Sequence, residues 1–245
     1  MRCRRTRCAL RPRGRPTCQP RAVSRKTQVP RRRPIVVVNR PQGTPLTTAQ
    51  RQVVHRCRAL PQLLDPLEAE LTVSSAVADL RPDEEFWAGL IEHAVSLSSR
   101  RNHALLRVLA AVLTGRPREW AASAVTPAGP ALTVGGAWIC DRSIDAGYLA
   151  LICTYRFAWA EHAMVFLIDE LSGGEVRTAF VTRDVATART RLADQGPLTP
   201  IGAEAAHWLL AKSYHRLDRN ADAVLDPDVQ RTRLLAARRI SIAFG

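Results

Sequence analysis

Residues 162–171 read His162-Ala163-Met164-Val165-Phe166-Leu167-Ile168-Asp169-Glu170-Leu171; Ser172-Gly173-Gly174 comes next, and then Val176-Arg177-Thr178-Ala179-Phe180-Val181-Thr182-Arg183. The first run is apolar on both parities, with Met164, Phe166 and Ile168 on one side and Val165 and Leu167 on the other. A strand of that kind is buried on both faces. Residues 176–183 alternate, which places Val176, Thr178, Phe180 and Thr182 together on one side. Upstream, residues 147–157 are rich in β-branched and aromatic side chains and join the first run through Ala158-Trp159-Ala160. Three strands so closely connected predict an antiparallel meander. With Ser172-Gly173-Gly174 as its second loop, Asp169 faces Arg177 and His162 comes near Asp184.

On both sides of the meander the period becomes helical. Residues 48–60 predict one helix, ended by Pro61. Asp65-Pro66-Leu67-Glu68 is a helix start: Asp as N-cap, Pro at the first helical position and Glu completing a capping box. Leu67, Leu71, Ser74, Ser75 and Ala78 then recur at helical spacing. A third helix spans 82–97 with Phe86, Leu90, Ala94 and Leu97 on one face, and Asn102 caps a fourth over 103–113, closed by Gly115. Residues 116–135, with Pro117, Pro127, Gly129, Pro130 and Gly135, read as loop. After the meander come helices over 184–193, from Thr199-Pro200 to 217, and from Asp226-Pro227 to 239. The fold class is α+β: an N-terminal helical bundle, a three-stranded antiparallel meander and C-terminal helices. The domain reading is 1–45 as a disordered tail, 46–115 as a helical region and 116–245 as sheet with C-terminal helices, packed with 46–115 as one domain.

The charge is unevenly placed. The chain has 245 residues and a net charge of +14, but 14 of its 36 basic residues and none of its 22 acidic ones lie in residues 1–45. The rest of the chain carries 22 of each sign. The first segment also holds seven of the 16 prolines and only Ile35-Val36-Val37-Val38 as an apolar run, too little buried surface to offset ordering entropy. Two readings are open for it: a basic arm on nucleic acid, with Arg31, Arg32 and Arg33 as its densest contact, or a start codon set too far upstream in a GC-rich gene. The second agrees with 34 of the 36 basic residues being Arg.

The longest apolar runs are about six residues against the roughly 20 of a spanning helix, and the basic N-terminus has no apolar stretch behind it. A cytoplasmic location is therefore expected. The six cysteines form no C-x-x-C pair, so reduced thiols are expected and neither a zinc ribbon nor a redox motif is written.

The stretch Glu161-His162-Ala163-Met164-Val165-Phe166-Leu167-Ile168-Asp169, with Leu171-Ser172-Gly173-Gly174 after it, resembles a family of actinobacterial proteins in which an E-H-A-L-V-x-L-I-D strand leads to a glycine turn. The resemblance spans residues 60–240 and includes Leu105, Leu106 and Leu109 and the segment 228–238. That family has no established activity, and it carries His where this chain has Glu170. The resemblance implies no cofactor and no residue role.

Common catalytic signatures are absent: no G-x-S-x-G, H-E-x-x-H, Walker A loop or G-x-G-x-x-G occurs. His207 and His215 lie eight residues apart on one predicted helix, about 12 Å along its axis, too far to share a zinc ion; each reads as a partly exposed surface residue. His162 and Asp169 are about 23 Å apart on one strand and do not act together. The function expected is binding through protein contacts, with an unidentified protein partner, no membrane and no cofactor or metal. The alternatives are nucleic-acid association through the arm alone and an enzyme with an unrecognised site, for which His162, Asp169 and Glu170 are the candidates. Of these, Asp169 and Glu170 with Glu175 could also hold a hard cation at the turn.

Overall fold

Thr47 opens the first helix. Its hydroxyl accepts from the Gln50 amide at 3.2 Å and the Gln50 side chain accepts from the Thr47 amide at 2.8 Å, a capping box before α1 (Thr48–Arg56). The computed structural model describes residues 45–126, 131–158, 160–220, 223 and 225–244. The helix expected over 48–60 divides: α1 passes into a 3-10 helix over Cys57–Gln62, which contains Pro61. At α2 (Pro66–Ala76), Asp65 caps the Leu67 amide at 2.8 Å. Glu68 does not complete a box there but turns to Arg183, which also bridges Asp65.

The next helices, α3 (Glu84–Ser96), α4 (Arg100–Val112) and α5 (Gly115–Ser123), correct the sequence reading in three places. Asp83 caps α3, and its buried face is Trp87, Leu90, Ile91 and Ala94, so Leu97 is left half exposed. Ser99, not Asn102, caps α4; Asn102 is buried and donates to the Leu97 carbonyl at 3.0 Å. The span 116–135 is not loop throughout. Pro117 lies in the first turn of α5, where proline costs no hydrogen bond.

One five-stranded antiparallel sheet replaces the expected three strands. Its order is β4-β3-β2-β1-β5, from β1 (Leu132–Arg142), β2 (Tyr148–Phe157), β3 (Ala160–Asp169), β4 (Glu175–Thr182) and β5 (Leu198–Ile201). The strands β2, β3 and β4 are the meander the sequence predicts. β1 is masked in the sequence by Gly135-Gly136, where its register against β2 shifts; Gly135 lies so close to Thr154 that a Cβ would collide with its hydroxyl. Thr199 and Pro200 belong to β5, an edge strand that tolerates proline, and do not cap the following helix.

β3 is buried on both faces as its composition requires. Met164, Phe166 and Ile168 join the main core with Leu90, Leu109, Val73, Leu210 and Leu235, while Ala163 and Val165 join a second cluster under α6 (Val185–Ala193) with Leu192. The helices α7 (Ala203–Arg219) and α8 (Pro227–Ala243) pack with α2 on the main-core side.

The β3–β4 turn departs from the predicted register. Gly173 and Gly174 have φ of +86° and +81°, a left-handed pair that only glycine adopts readily. Asp169 pairs with Glu175, and Leu167 with Thr178, leaving Arg177 as the extra residue of a bulge. An extra residue inverts the facing of the strand beyond it. Val176 and Ala179 therefore both face the core, and Phe180 is 43% exposed on the opposite side from Val176. Among the described residues no helix is long and apolar enough to cross a membrane.

Candidate functional site

His162 stands at the start of β3, wholly inside. Its ring stacks on Tyr155 at 5.6 Å and on Phe157 at 5.5 Å between centroids, and its Nε2 lies 3.4 Å from Nη2 of Arg239. Arg239 comes from α8, is 0% exposed, and donates through the same Nη2 to Glu70 Oε2 of α2 at 2.6 Å. Its guanidinium lies over the Tyr155 and Phe157 rings at 5.6 and 5.9 Å, and its Nε and Nη1 have no hydrogen-bond partner among the described residues. A cleft of about 260 Å³ reaches His162 between Asp65, Phe157, Glu161 and Arg183.

A second pair adjoins the first. Tyr155 donates to His207 Nε2 at 2.8 Å, and His207 Nδ1 donates to the Ala203 carbonyl at 2.6 Å. That assignment follows from the carbonyl, which only accepts. His207 is therefore buried in the core rather than partly exposed; His215, one helix face away, is exposed.

Burial first, and the Arg239 charge second, push the His162 imidazole down to about 3. At neutral pH the ring is uncharged, with Nε2 as acceptor toward the guanidinium. Burial also lowers His207, against its bond to Ala203, and raises Tyr155 well above the ordinary phenol. A general acid or base works best with a pKa near the operating pH. This network instead keeps the two imidazoles neutral and the Tyr155 phenol protonated at neutral pH, and ties α2, α7, α8, β2 and β3 together.

The turn residues do not converge on a cation. Asp169 accepts from the Ser172 amide at 3.0 Å and the Ser172 hydroxyl at 2.8 Å, and pairs with Arg177 Nε at 3.4 Å. Partial burial raises its carboxyl, but the Ser172 bonds and Arg177 outweigh this and leave it below the ordinary range. Glu175 is buried and accepts from Asn220 at 2.9 Å, while Glu170 is exposed. Among the described residues no three His, Cys, Asp or Glu side chains are grouped as metal ligands. His162 stands opposite Tyr155 on β2 and beside Arg239, while Asp184 caps α6 by accepting from the Thr187 amide; the expected His162–Asp184 pairing is not made. Arg31, Arg32, Arg33 and Trp159 lie outside the described residues.

A different surface combines apolar and basic side chains. Between the end of α3 and α4 runs a groove of about 590 Å³, walled by Pro61, Ala94, Val95, Leu97, Leu106 and Ala124. Val95 and Leu97 are half exposed in it. Arg100, His103 and Arg107 line its other side, spaced three and four residues apart and hence on one stripe of α4. No carboxylate lines the groove, and none of the three forms an ion pair among the described residues.

Local physics does not favour this stripe. A cation in the first turn opposes the helix dipole. α4 has no acid in its first turn, where Arg100 and Arg101 stand instead. The two first-turn arginines instead donate to backbone carbonyls, Arg100 to Pro61 and Arg101 to Val54.

Comparison with protein-family models, with curated proteins and with solved structures finds no match for this chain. The resemblance at β3 therefore assigns no role to any residue.

Proposed function

We propose that this protein acts by binding another protein, and that the α3–α4 groove receives an acidic segment with apolar anchors. One observation carries the reading: Arg100, His103 and Arg107 stand on one stripe, with no carboxylate in the groove and with Val95 and Leu97 half exposed opposite them. Charge on the rim gives register and partner choice, and the apolar floor gives affinity. The reading places the protein in the cytoplasm, which suits Cys57, Cys140 and Cys153, all buried thiols outside any disulfide. Contact with nucleic acid, in this reading, falls to the first 45 residues alone.

The test is fluorescence anisotropy of a labelled acidic peptide carrying two leucines, with the full chain at about 0.15 M salt. The R100E/R107E variant should bind at least about tenfold more weakly, since exposed ion pairs contribute up to about 1 kcal/mol each and reversal turns attraction into repulsion. The Arg-rich N-terminal segment also attracts acidic peptide, so a peptide with serine in place of both leucines is titrated alongside, and the affinity gained from the leucines is what is compared between the two proteins. An equal gain in the two would sink the reading.

A further inference from the structure

We infer that the occupant of the α3–α4 groove is a second copy of this chain, entering with the joined tips of its β1–β2 and β3–β4 hairpins. The inference rests on the proposed docking function and adds the identity of the partner.

Each tip carries a strongly exposed aliphatic side chain, as does Leu64 elsewhere on the described surface. Ile144, in the β1–β2 turn, is 102% exposed and Leu171, in the β3–β4 turn, is 83% exposed. Both turns lie at the same end of the sheet and are tied to each other. The Glu170 amide donates to the Gly147 carbonyl at 3.0 Å, and the Leu171 side chain lies where a Cβ on Gly147 would stand. Isolated exposed aliphatics are ordinary, but these two stand on turns that are bonded to each other.

Each turn is also held in shape. Arg142 clamps Asp145 through Nε at 2.9 and 2.7 Å and Nη2 at 2.6 Å, Asp141 accepts from the Ser143 amide at 2.9 Å, and Asp169 is bonded to Ser172. A preformed protrusion loses little freedom on docking.

The charges match the groove. The two turns carry Asp141, Asp145, Asp169 and Glu170. Arg142 takes up Asp145 and Arg177 takes up Asp169. Asp141 and Glu170 are exposed and in no ion pair among the described residues, although the Arg216 guanidinium and the Glu170 carboxylate both lie beside Gly174. The groove offers three basic side chains, no acid and two half-exposed aliphatics. Apolar tips flanked by carboxylates thus face an apolar floor flanked by cations. The two surfaces are different parts of the molecule, so the contact is head-to-tail and each copy keeps one tip and one groove to offer the next.

The test uses two full-length variants, I144D/L171D in the tips and R100E/R107E in the groove, followed by sedimentation velocity at about 0.15 M salt over a wide concentration range. All four positions are outside the buried network, and thermal unfolding checks that each variant is folded. The unaltered protein should grow beyond a monomer as concentration rises, each variant alone should stay monomeric, and their equimolar mixture should form a two-chain complex and nothing larger. That complementation is specific to a head-to-tail contact, because the mixture retains one intact tip and one intact groove. An unaltered protein that stays monomeric to its solubility limit, variants that assemble as well as it does, or a mixture that stays monomeric would each overturn the inference. If the groove variant still loses the acidic peptide in those cases, only the identity of the partner falls; if it does not, the docking reading falls with it.

Discussion

Lowering the pH from 7 to 5 should cost this protein about 2 kcal/mol through His162 alone. The imidazole is pushed down to about 3 in the fold by burial and by Arg239, against about 6.5 in the unfolded chain. A group whose pKa is depressed on folding gives stability that is complete above the unfolded value and is lost as pH falls, because only the unfolded chain takes up the proton. The window therefore opens near pH 6.5 and runs down to about 3, with a slope of about 1.4 kcal/mol per pH unit. His207, also lowered by burial, acts in the same direction. The assay is urea unfolding at a series of pH values, for the unaltered protein and for H162F. Phenylalanine fits between Tyr155 and Phe157 and removes the titrating group. The variant starts from a different stability, so the mean slope between pH 6.5 and 5 is what counts, and it should flatten by about 1.1 kcal/mol per unit. Parallel slopes in the two proteins would show that His162 takes its proton in the folded state without penalty, and would refute the burial argument.

Three further outcomes are expected from the packing. Arg239→Met leaves the Glu70 carboxylate buried without its partner and should cost about 3–5 kcal/mol, whereas E70L/R239M should recover most of this; a double variant as weak as the single one would contradict that account, read from urea midpoints. Phe166→Ala should destabilise by about 3–5 kcal/mol, since the ring is 1% exposed and set edge-on to Tyr214, and a loss below about 1 kcal/mol would mean that the site collapses freely. Tyr155→Phe strips His207 Nε2 of its donor and should cost about 1–3 kcal/mol by the same measurement; a neutral result would mean that the 2.8 Å bond is not the one that matters.

The legible part of the fold is whatever a short window encodes. The doubly apolar run of β3 announces a strand covered on both sides, and Asp65-Pro66 announces the start of α2. Helix faces are harder, because a periodic count can sit one position out: the buried side of α2 is Leu67, Ala69, Glu70, Val73, Ser74 and Ala76, so a glutamate sits where the pattern calls for an apolar residue. That displaced acid is a signal for the Glu70–Arg239 pair, but its partner lies 169 residues away and has no local trace. The bulge at Arg177 is likewise invisible to a period-2 count, and one inserted residue is enough to turn Phe180 outward and move Asp169 from Arg177 to Glu175 in the pairing. The groove escapes a reading of α4 by its apolar positions alone. Arg100, His103 and Arg107 are in plain view at helical spacing, but only the placement of Val95 and Leu97 makes them one surface.

The 169 residues between Glu70 and Arg239 also set a schedule. A ribosome adds roughly 5–20 residues per second, so α2 emerges on the order of 8–34 s before the guanidinium that neutralises it has been made. During that interval Glu70 keeps its hydration and the face of the sheet that α8 covers has no lid. Until α8 arrives, the ion pair that fixes α2 in the core is incomplete. A message cut short before the codon for Arg239 would yield a chain with its strands and most of its helices complete and its central acid still waiting, which is a species for the quality-control machinery to recognise.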